Sequence, residues 1–308
     1  MTAASDPLGD DTFISAIIVT WNSASVITDC LSSVERELRP GRGEIIVVDN
    51  ASRDDTVERV RALAPDAHLI TNDSNRGLAA ANNQGMRAAR GSAYLICNPD
   101  VVLQPGSVSA MMAVLERHHH AAWVVPRLVH EDGVLQTSVG SLPTLAEALL
   151  GRQIARRRSP GSPTGFWWDG WAHDVERTVG HIFECAYAVR RRAVEEVGMQ
   201  DARYVLDWEG LDWAERFDRA GWEIWFAPGA EVVHLGGASR RQVPLRSVIS
   251  QHRGIYFYFA DRRPRLVKPF LAVAVGLRAV IKLALTGMGV PLYSWAHRDR
   301  REQRKAAG

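Results

Sequence analysis

The sequence places a carboxylate where metal-assisted chemistry is common. Asn98-Pro99-Asp100 directly follows Tyr94 to Cys97, an apolar run typical of a buried strand. In an open α/β sheet, ligands collect in the crevice outside the carboxyl ends of the strands. A carboxylate there suits a hard divalent cation, and the cation can in turn hold a diphosphate. The simpler alternative is turn chemistry, because Asn, Pro and Asp are common turn formers.

Three further polar motifs occupy equivalent positions in the first hundred residues. Each lies at or just after the end of an apolar run: Thr20 and Asn22, then Asp49 and Asn50, then Asn75-Arg76-Gly77 before a helix bearing Asn83. If the runs are parallel strands, all four motifs meet at one edge of the sheet. An ionised Asp49 is purely an acceptor and could bind a pyrimidine N–H, whereas Asn50 and Ser52 would equally serve as helix caps. Together the motifs indicate a nucleotide site.

Apolar runs and helical segments alternate at short intervals. Strands are predicted at 13–20, 44–48, 68–71, 94–97 and 121–125, and helices at 24–38, 54–63, 78–89 and 106–118. This alternation predicts an α/β fold, with a mostly parallel, Rossmann-like central sheet flanked by helices. Farther along, the patterns predict strands at 182–189, 223–228 and 230–233, helices at 191–197 and 212–220, and an irregular stretch over 143–179.

The composition is that of a soluble globular protein with a basic C-terminal region. The chain has 308 residues, of which 46% are hydrophobic and 23% charged, and residues 1–12 are predicted to be a flexible leader. The three cysteines have no metal-type spacing, which favours a reducing, cytoplasmic compartment. From residue 240 onward, 15 Lys and Arg stand against 3 Asp and Glu, which favours an anionic partner. No nucleic-acid-binding module accompanies this charge.

Residues 266–292 are strongly apolar but are interrupted by Lys268, Arg278 and Lys282. A spanning helix needs roughly eighteen or more uncharged apolar residues. Cations beside an apolar face fit a helix on a membrane surface better. A helix packed on the preceding domain is the alternative, and a true span is a lesser one.

On these motifs, residues 13–260 resemble the family 2 glycosyltransferases of the GT-A fold, most of all the rhamnosyltransferase-like members. The resemblance is carried by Val-Val-Asp49-Asn-Ala-Ser, by the Asn-Arg-Gly loop and by Asn98-Pro-Asp100, a variant of the family's Asp-x-Asp motif. It implies that Asp49 holds the donor base, that Asp100 binds Mn²⁺ or Mg²⁺ with the donor diphosphate, and that Asn98 lies near the donor sugar or ribose. It also implies donor contacts from Thr20, Asn22, Asn50, Asn75, Arg76, Gly77 and Asn83.

The resemblance also implies that His234, at the end of a predicted strand, completes the metal site. Mg²⁺ and Mn²⁺ prefer oxygen donors, but Mn²⁺ accepts a single nitrogen ligand more easily. A lone His at a strand end is more often only hydrogen-bonded. The glycines that follow favour close approach of a phosphate, so we expect a ligand here.

The second half contributes Asp207-Trp-Glu209-Gly210-Leu-Asp212-Trp213, which is similar to the family's acidic Glu-Asp-x-Asp motif. The chain departs from the pattern, because Gly210 stands where the family has the Asp that acts as general base. We expect Glu209 to take this role, since its longer side chain could cover the space that Gly210 vacates. Asp212 is the alternative base, and Asp207 stays open. A catalytically inactive homologue that only binds nucleotide-sugar or glycan is a further alternative.

The resemblance implies an inverting, metal-dependent transfer of a sugar from a nucleotide-sugar to a cell-surface polysaccharide or polyprenyl-linked glycan. dTDP-rhamnose is the first candidate donor, and UDP-galactofuranose or a UDP-hexose the second. The expected GT-A catalytic domain covers 13–239, with a nucleotide-binding half at 13–125 and an acceptor half at 126–239. A basic, partly amphipathic helical region follows at 240–308. The protein would then work in the cytoplasm at the inner face of the cell membrane. A nicotinamide-dependent dehydrogenase is disfavoured, because no glycine-rich turn follows the first strand.

Overall fold

Strands and helices alternate through the first half of the chain, as the sequence predicts. The computed structural model describes residues 12–38, 41–150, 168, 171–236 and 244–288. The first elements are β1 (Ile14–Thr20), α1 (Ile27–Glu37), β2 (Gly43–Asp49), α2 (Thr56–Leu63), β3 (His68–Thr71), α3 (Leu78–Ala88) and β4 (Ala93–Cys97). The four strands pair in parallel in the order β3-β2-β1-β4. Their carboxyl ends therefore open on one edge of the sheet.

The second half extends the same sheet with mixed strand directions. Its strands are β5 (Val101–Leu103), β6 (Ala121–Val129), β7 (Leu135–Gln136), β8 (Val139–Gly140), β9 (Arg177–Val179), β10 (His181–Ile182), β11 (Ala186–Arg190) and β12 (Glu223–His234). The helices are α4 (Ser107–Arg117), α5 (Leu145–Leu150), α6 (Arg191–Val197), α7 (Glu209–Arg219), α8 (Pro244–Asp261) and α9 (Lys268–Gly287), with a 3₁₀ turn at Arg265–Val267 before α9. β11 runs antiparallel to β4, and the sheet continues through β6, β12 and β5, while β8 and β10 form a separate two-stranded sheet.

The sheet separates two hydrophobic clusters, one on each face. The helices reach the sheet closely where small residues permit it. At Gly85 of α3, a Cβ atom would lie 2.4 Å from the Ile17 side chain of β1. Only glycine fits this contact, because a buried branched side chain has little room to withdraw. This contact sets the position of α3, whose N-terminus borders the predicted nucleotide site.

Several boundaries differ from the sequence predictions. The apolar run 182–189 is not one strand, because residues 183–185 separate β10 from β11. The runs 223–228 and 230–233 join into the single strand β12, with register shifts absorbing the irregularity. The acidic helix begins at Glu209 rather than Asp212. The stretch predicted to be irregular contains α5 and β9 where it is described, and residues 151–167 of it lie outside the described residues.

The two C-terminal helices pack on the second half of the domain. Tyr204, Trp208 and Leu211 form a third apolar cluster with α8 and with the buried face of α9. Arg278 of α9 donates to the Leu149 carbonyl at 2.9 Å and contacts His252 of α8 at 2.7 Å. The alternative of a helix packed on the domain therefore holds for one face of α9. Most of the predicted leader and the basic end of the chain lie outside the described residues.

The opposite face of α9 is exposed and apolar. Phe270, Val273, Leu277 and Val280 are between 63% and 76% exposed, at spacings that place them on one side of a helix. Among the described residues, the segment Arg265–Gly287 alone is long and apolar enough to cross a membrane, and 11% of its most apolar window is buried.

Candidate active site

Asp49 lies at the end of β2 inside a ring of donors from its own edge of the sheet. Thr20, at the end of β1, donates its hydroxyl to Oδ1 at 2.9 Å. The Ser52 hydroxyl donates to Oδ1 at 2.5 Å, and the Ser52 backbone N–H donates to Oδ2 at 2.9 Å. The buried Asp49 carboxyl group is thereby held in one orientation. Thr20 therefore positions Asp49, and a direct contact of Thr20 with the nucleotide-sugar stays a prediction.

Asn50 organises the loop that precedes α3. Its side chain donates to the Gly77 carbonyl at 3.2 Å and accepts from the Arg76 backbone N–H at 3.3 Å. Asn75 closes the same loop by accepting from the Gly77 N–H at 3.0 Å. Gly77 has φ +87°, and a Cβ atom there would lie 2.8 Å from the backbone of Val205. The loop thus bridges the nucleotide half and the segment that leads to α7.

Two other predicted donor contacts are also engaged in local structure. Asn22 has φ +48° and accepts from the Arg53 N–H at 2.8 Å, while its own N–H donates to Ser52. The Asn83 amide donates to the Gln200 carbonyl at 2.7 Å and accepts from the Gln200 N–H at 3.1 Å. Asn83 therefore clamps the backbone of the acceptor half onto α3, and its contact with a donor stays a prediction.

Asp100 and His234 come together although 134 positions separate them. His234 ends β12, which pairs antiparallel with β5 immediately after Asp100. The His234 Nε2 atom lies 3.6 Å from Oδ2 of Asp100, and both side chains are at least nine-tenths buried. Gln136 Oε1 lies 3.0 Å from Nδ1 of His234 on the other side of the ring, so Nε2 is the ring nitrogen that faces the carboxylate. One nitrogen and one carboxylate oxygen thus point toward a common position.

Asn98 connects this pair to the start of β11. Its backbone N–H donates to the Cys185 carbonyl at 2.7 Å, and its side chain donates to the Glu184 carbonyl at 3.1 Å. The Asn98-Pro99-Asp100 turn is therefore fixed against residues 183–185, which separate β10 from β11. The observed contacts of Asn98 are structural, and its place near a donor sugar or ribose stays a prediction.

The acidic residues of α7 differ in their surroundings. Both oxygens of Asp212 are paired, Oδ2 with Arg216 at 2.9 Å and Oδ1 with Arg262 of α8 at 3.0 Å. These ion pairs give Asp212 a structural role in holding α8. Glu209, the predicted base, is 2% exposed at the first turn of the helix. Its role as a base stays a prediction.

Glu184 is a further carboxylate in the crevice, which no sequence motif assigned to the site. Gln200 Nε2 and the Tyr187 hydroxyl both donate to its Oε1, at 2.9 and 3.2 Å. Burial raises the pKa of Glu184 to about 7, and the nearby charge of Asp207 acts in the same direction. The Gly210 backbone N–H donates to the same carboxyl group and opposes this shift. The signal in the sequence was the charge itself, because Glu184 lies within the apolar run that predicts a strand at 182–189.

Trp208 and Trp213, which lie in the acidic motif of α7, are both buried. Trp213 is fully buried against Trp123 and Phe217, and Trp208 packs on Tyr258 and Phe259 of α8. Aromatic packing therefore accounts for both side chains.

Comparison with known proteins agrees with this geometry. The sequence model described as Glycosyl transferase family 2 matches residues 15–176, which is more than half of the chain. The chain belongs to glycosyl transferase family 2. This glycosyltransferase is 28% identical over 233 residues to the N-acetylglucosaminyl-diphospho-decaprenol L-rhamnosyltransferase of Mycobacterium tuberculosis, covering 71% of this chain and 75% of the relative. It is also 26% identical over 202 residues to a PGL/p-HBAD biosynthesis glycosyltransferase of Mycobacterium bovis, covering 63% and 66%.

Solved structures confirm the GT-A fold of this glycosyltransferase. The mannosyltransferase PcManGT from Pyrobaculum calidifontis, in complex with GDP-Man and Mn²⁺, matches 99% of this chain and 83% of its own with a TM-score of 0.53 at 18% identity. GalNAc-T7 with UDP, GalNAc and Mn²⁺ matches 72% of this chain with a TM-score of 0.56 at 15% identity. The match spans 44% of the GalNAc-T7 chain. The rhamnosyltransferase-like, family 2 interpretation of the sequence is confirmed.

Proposed function

We propose that this glycosyltransferase performs an inverting, metal-dependent transfer from a nucleotide-sugar to a lipid-linked or polysaccharide acceptor. The observation that carries the proposal is the convergence of Asp100 and His234 beside the buried Asp49 at the carboxyl edge of the parallel strands. An edge of this kind is where open α/β sheets bind their ligands. Thr20 and Ser52 hold the carboxylate of Asp49 in place, and this group would accept from a base N–H beside the loop that Asn50 organises.

The residues present fit a divalent cation. The Nε2 atom of His234 lies 3.6 Å from Oδ2 of Asp100 in a buried site, and Gln136 takes the Nδ1 side of the ring. An imidazole nitrogen and a carboxylate oxygen can both bind a divalent cation, and a nitrogen ligand favours Mn²⁺ over Mg²⁺. Within the described residues no third His, Cys, Asp or Glu joins them, so the remaining ligands would come from the donor diphosphate and water. A bound cation would neutralise charge on the leaving diphosphate.

For the donor we propose dTDP-rhamnose first, and UDP-galactofuranose or a UDP-hexose second. The support is the Mycobacterium tuberculosis relative, whose name specifies L-rhamnosyl transfer to N-acetylglucosaminyl-diphospho-decaprenol. The same name supports a polyprenyl-diphosphate glycan as acceptor. An open pocket is lined by Val205 together with Arg203, Arg246 and Arg253, and the Val205 carbonyl accepts from the N–H of Leu78 at the start of α3. Arg203 already pairs with Asp201 and Asp261, so Arg246 and Arg253 are the cations that suit an anionic acceptor.

Membrane association is supported by the exposed apolar face of α9. The sugar of a lipid-linked acceptor lies at the membrane surface. A contiguous exposed apolar face on a protein marks an interaction site. The basic residues Arg263, Arg265 and Lys268 precede this face, as expected for binding to anionic lipids. We therefore place the enzyme in the cytoplasm, at the inner face of the cell membrane.

The transfer is tested by release of nucleoside diphosphate from a donor panel with N-acetylglucosaminyl-diphospho-polyprenol as acceptor. We expect acceptor-dependent release of dTDP or UDP that needs Mn²⁺ or Mg²⁺ and gives an inverted product. An absence of release with every donor, in the presence of metal and acceptor, would contradict the proposal and favour a protein that only binds nucleotide-sugar.

Membrane binding is tested by sedimentation with phosphatidylglycerol vesicles. Val273→Asp combined with Leu277→Asp should abolish co-sedimentation, because charge on the apolar face opposes insertion. Val175→Asp is the matched control, since Val175 is 56% exposed outside α9. Unchanged co-sedimentation of the double variant would contradict the assignment of this face.

A further inference from the structure

The Glu184 side chain occupies the space that a side chain at position 210 would need. A Cβ atom on Gly210 would lie 2.1 Å from Oε2 and 2.2 Å from Cδ of Glu184. A larger residue at 210 therefore cannot coexist with the present position of this carboxyl group. Gly210 is the position at which the resemblance led us to expect the Asp base. The Glu184 carboxyl group lies where the side chain of that Asp would begin.

Glu184 lies between the two halves of the crevice. Its backbone carbonyl accepts from Asn98, two positions before Asp100, and the neighbouring Phe183 ring lies 5.7 Å from the His234 ring. Its carboxyl group reaches the opposite way, to the Gly210 N–H at the start of α7. The carboxyl group is therefore next to the acidic helix, while its backbone is joined to the turn that carries Asp100.

The two carboxylates predicted as bases are less well placed. Asp212 is held by two arginines, and Glu209 is 2% exposed. Glu184 is less buried than Glu209, and its carboxyl group lies against the N-terminus of α7, where the missing Asp base is expected. Both side-chain donors to Glu184 converge on Oε1, which fixes the orientation of the group without covering it.

We propose that Glu184 is the general base of the glycosyl transfer, replacing in space the Asp that position 210 lacks. The proposal rests on the proposed function. Glu184 takes the proton of the acceptor hydroxyl while the acceptor oxygen bonds to the anomeric carbon of the donor. The bond from that carbon to the diphosphate oxygen breaks, and its electron pair leaves with the nucleoside diphosphate. The protonated Glu184 then releases its proton to solvent.

The electrostatic surroundings of Glu184 suit this role. Burial raises its pKa to about 7, and Asp207 on the loop before α7 adds to this effect. Tyr187 of β11 and Gln200 donate hydrogen bonds that act against it, and Glu209 raises the pKa of the same Tyr187 hydroxyl. A general base is most effective when its pKa lies near the working pH.

The first test compares Glu184→Gln with Glu209→Gln and with the exposed Glu195→Gln as control. Removing a general base lowers kcat by about 100-fold or more, so we expect this loss in Glu184→Gln. The KM for the donor should stay unchanged, and so should the increase in Tm that dTDP or UDP causes in the presence of Mn²⁺. The rise of kcat with pH near 7 should disappear in this variant alone. Wild-type kcat in Glu184→Gln, or loss of the pH limb in Glu209→Gln instead, overturns the proposal. A wild type that binds nucleotide but transfers no sugar contradicts the proposed function itself.

The second test exchanges the two residues. Gly210→Ala should lower kcat, because its Cβ displaces the Glu184 carboxyl group. Glu184→Gly should be inactive. The double variant Glu184→Gly with Gly210→Asp should have a kcat about tenfold or more above that of Glu184→Gly, because the effects of substitutions at contacting residues are not additive. A double variant no more active than Glu184→Gly, although folded and binding nucleotide, would contradict the spatial replacement.

Discussion

Replacing Glu184 by Gln should make the folded protein more stable than the wild type at alkaline pH but not in acid. The pKa of Glu184 is raised from 4.5 to about 7, chiefly by burial. Between these values the folded state holds a proton that the unfolded chain has already lost. The wild type therefore loses free energy of unfolding as the pH rises through this window. The neutral amide of Gln carries no such cost.

The size of the effect follows from the two pKa values. The interval from 4.5 to about 7, at about 1.4 kcal/mol per unit, gives about 3 kcal/mol as an upper limit at pH 8. Partial exposure of Glu184 to solvent lowers this figure. The hydrogen bonds from Gln200 and Gly210 remain possible, because the amide oxygen of Gln still accepts.

Urea unfolding of both proteins at about pH 5 and about pH 8.5 measures the difference. Burial lowers the pKa of His181 to about 3 and that of His252 to about 4. Both histidines therefore weaken the fold as the pH falls below 6.5, but equally in the two proteins, so they cancel in the comparison. A difference in free energy of unfolding that is the same at both pH values would refute the assigned pKa shift.

Further predictions concern packing and ion pairs, each read from urea melts. Gly85→Ala should lower the free energy of unfolding by about 1 to 3 kcal/mol, because its Cβ meets Ile17. Gly276→Ala in α9 should raise it by about 0.5 to 1 kcal/mol, because its Cβ meets nothing within 4 Å. Equal effects of the two substitutions would contradict the close approach of α3 to β1. Arg262→Met should cost about 2 to 3 kcal/mol, because the largely buried Asp212 and Glu215 lose a shared cation. The exposed pair of Arg59 and Asp55 is the control, and an equal loss in Arg59→Met would contradict this assignment.

The nucleotide half, residues 13–125, could be predicted because its apolar runs predict strands and the polar residues after those runs predict a ligand site. Apolar runs mark β1, β2 and β4, and parallel pairing brings their polar ends together without further information. The antiparallel strands and α8 were harder to predict. Pro244 and Pro264 mark the two limits of α8 in the sequence, but its place in the fold depends on packing against Trp208 and Leu211.

The position of Glu184 could not be predicted from periodicity. Its segment reads as one continuous strand, yet residues 183–185 leave the ladder to contact Asn98 and α7. The contact with Gly210 joins residues that are 26 positions apart, through an approach that only glycine permits. The sequence showed that a carboxylate was missing at 210, but only the structure shows what occupies its place.

Calorimetric titration of dTDP and of UDP, with and without Mn²⁺, tests the account most directly. The variant is Asp100→Asn, and the control is Asp66→Asn, an exposed residue in the turn before β3, at the amino ends of the strands. We predict Mn²⁺-dependent binding of one nucleotide by the wild type and the control, weakened by about tenfold or more in Asp100→Asn. Equal affinity in all three proteins, with or without Mn²⁺, would contradict a metal-held diphosphate at Asp100 and His234.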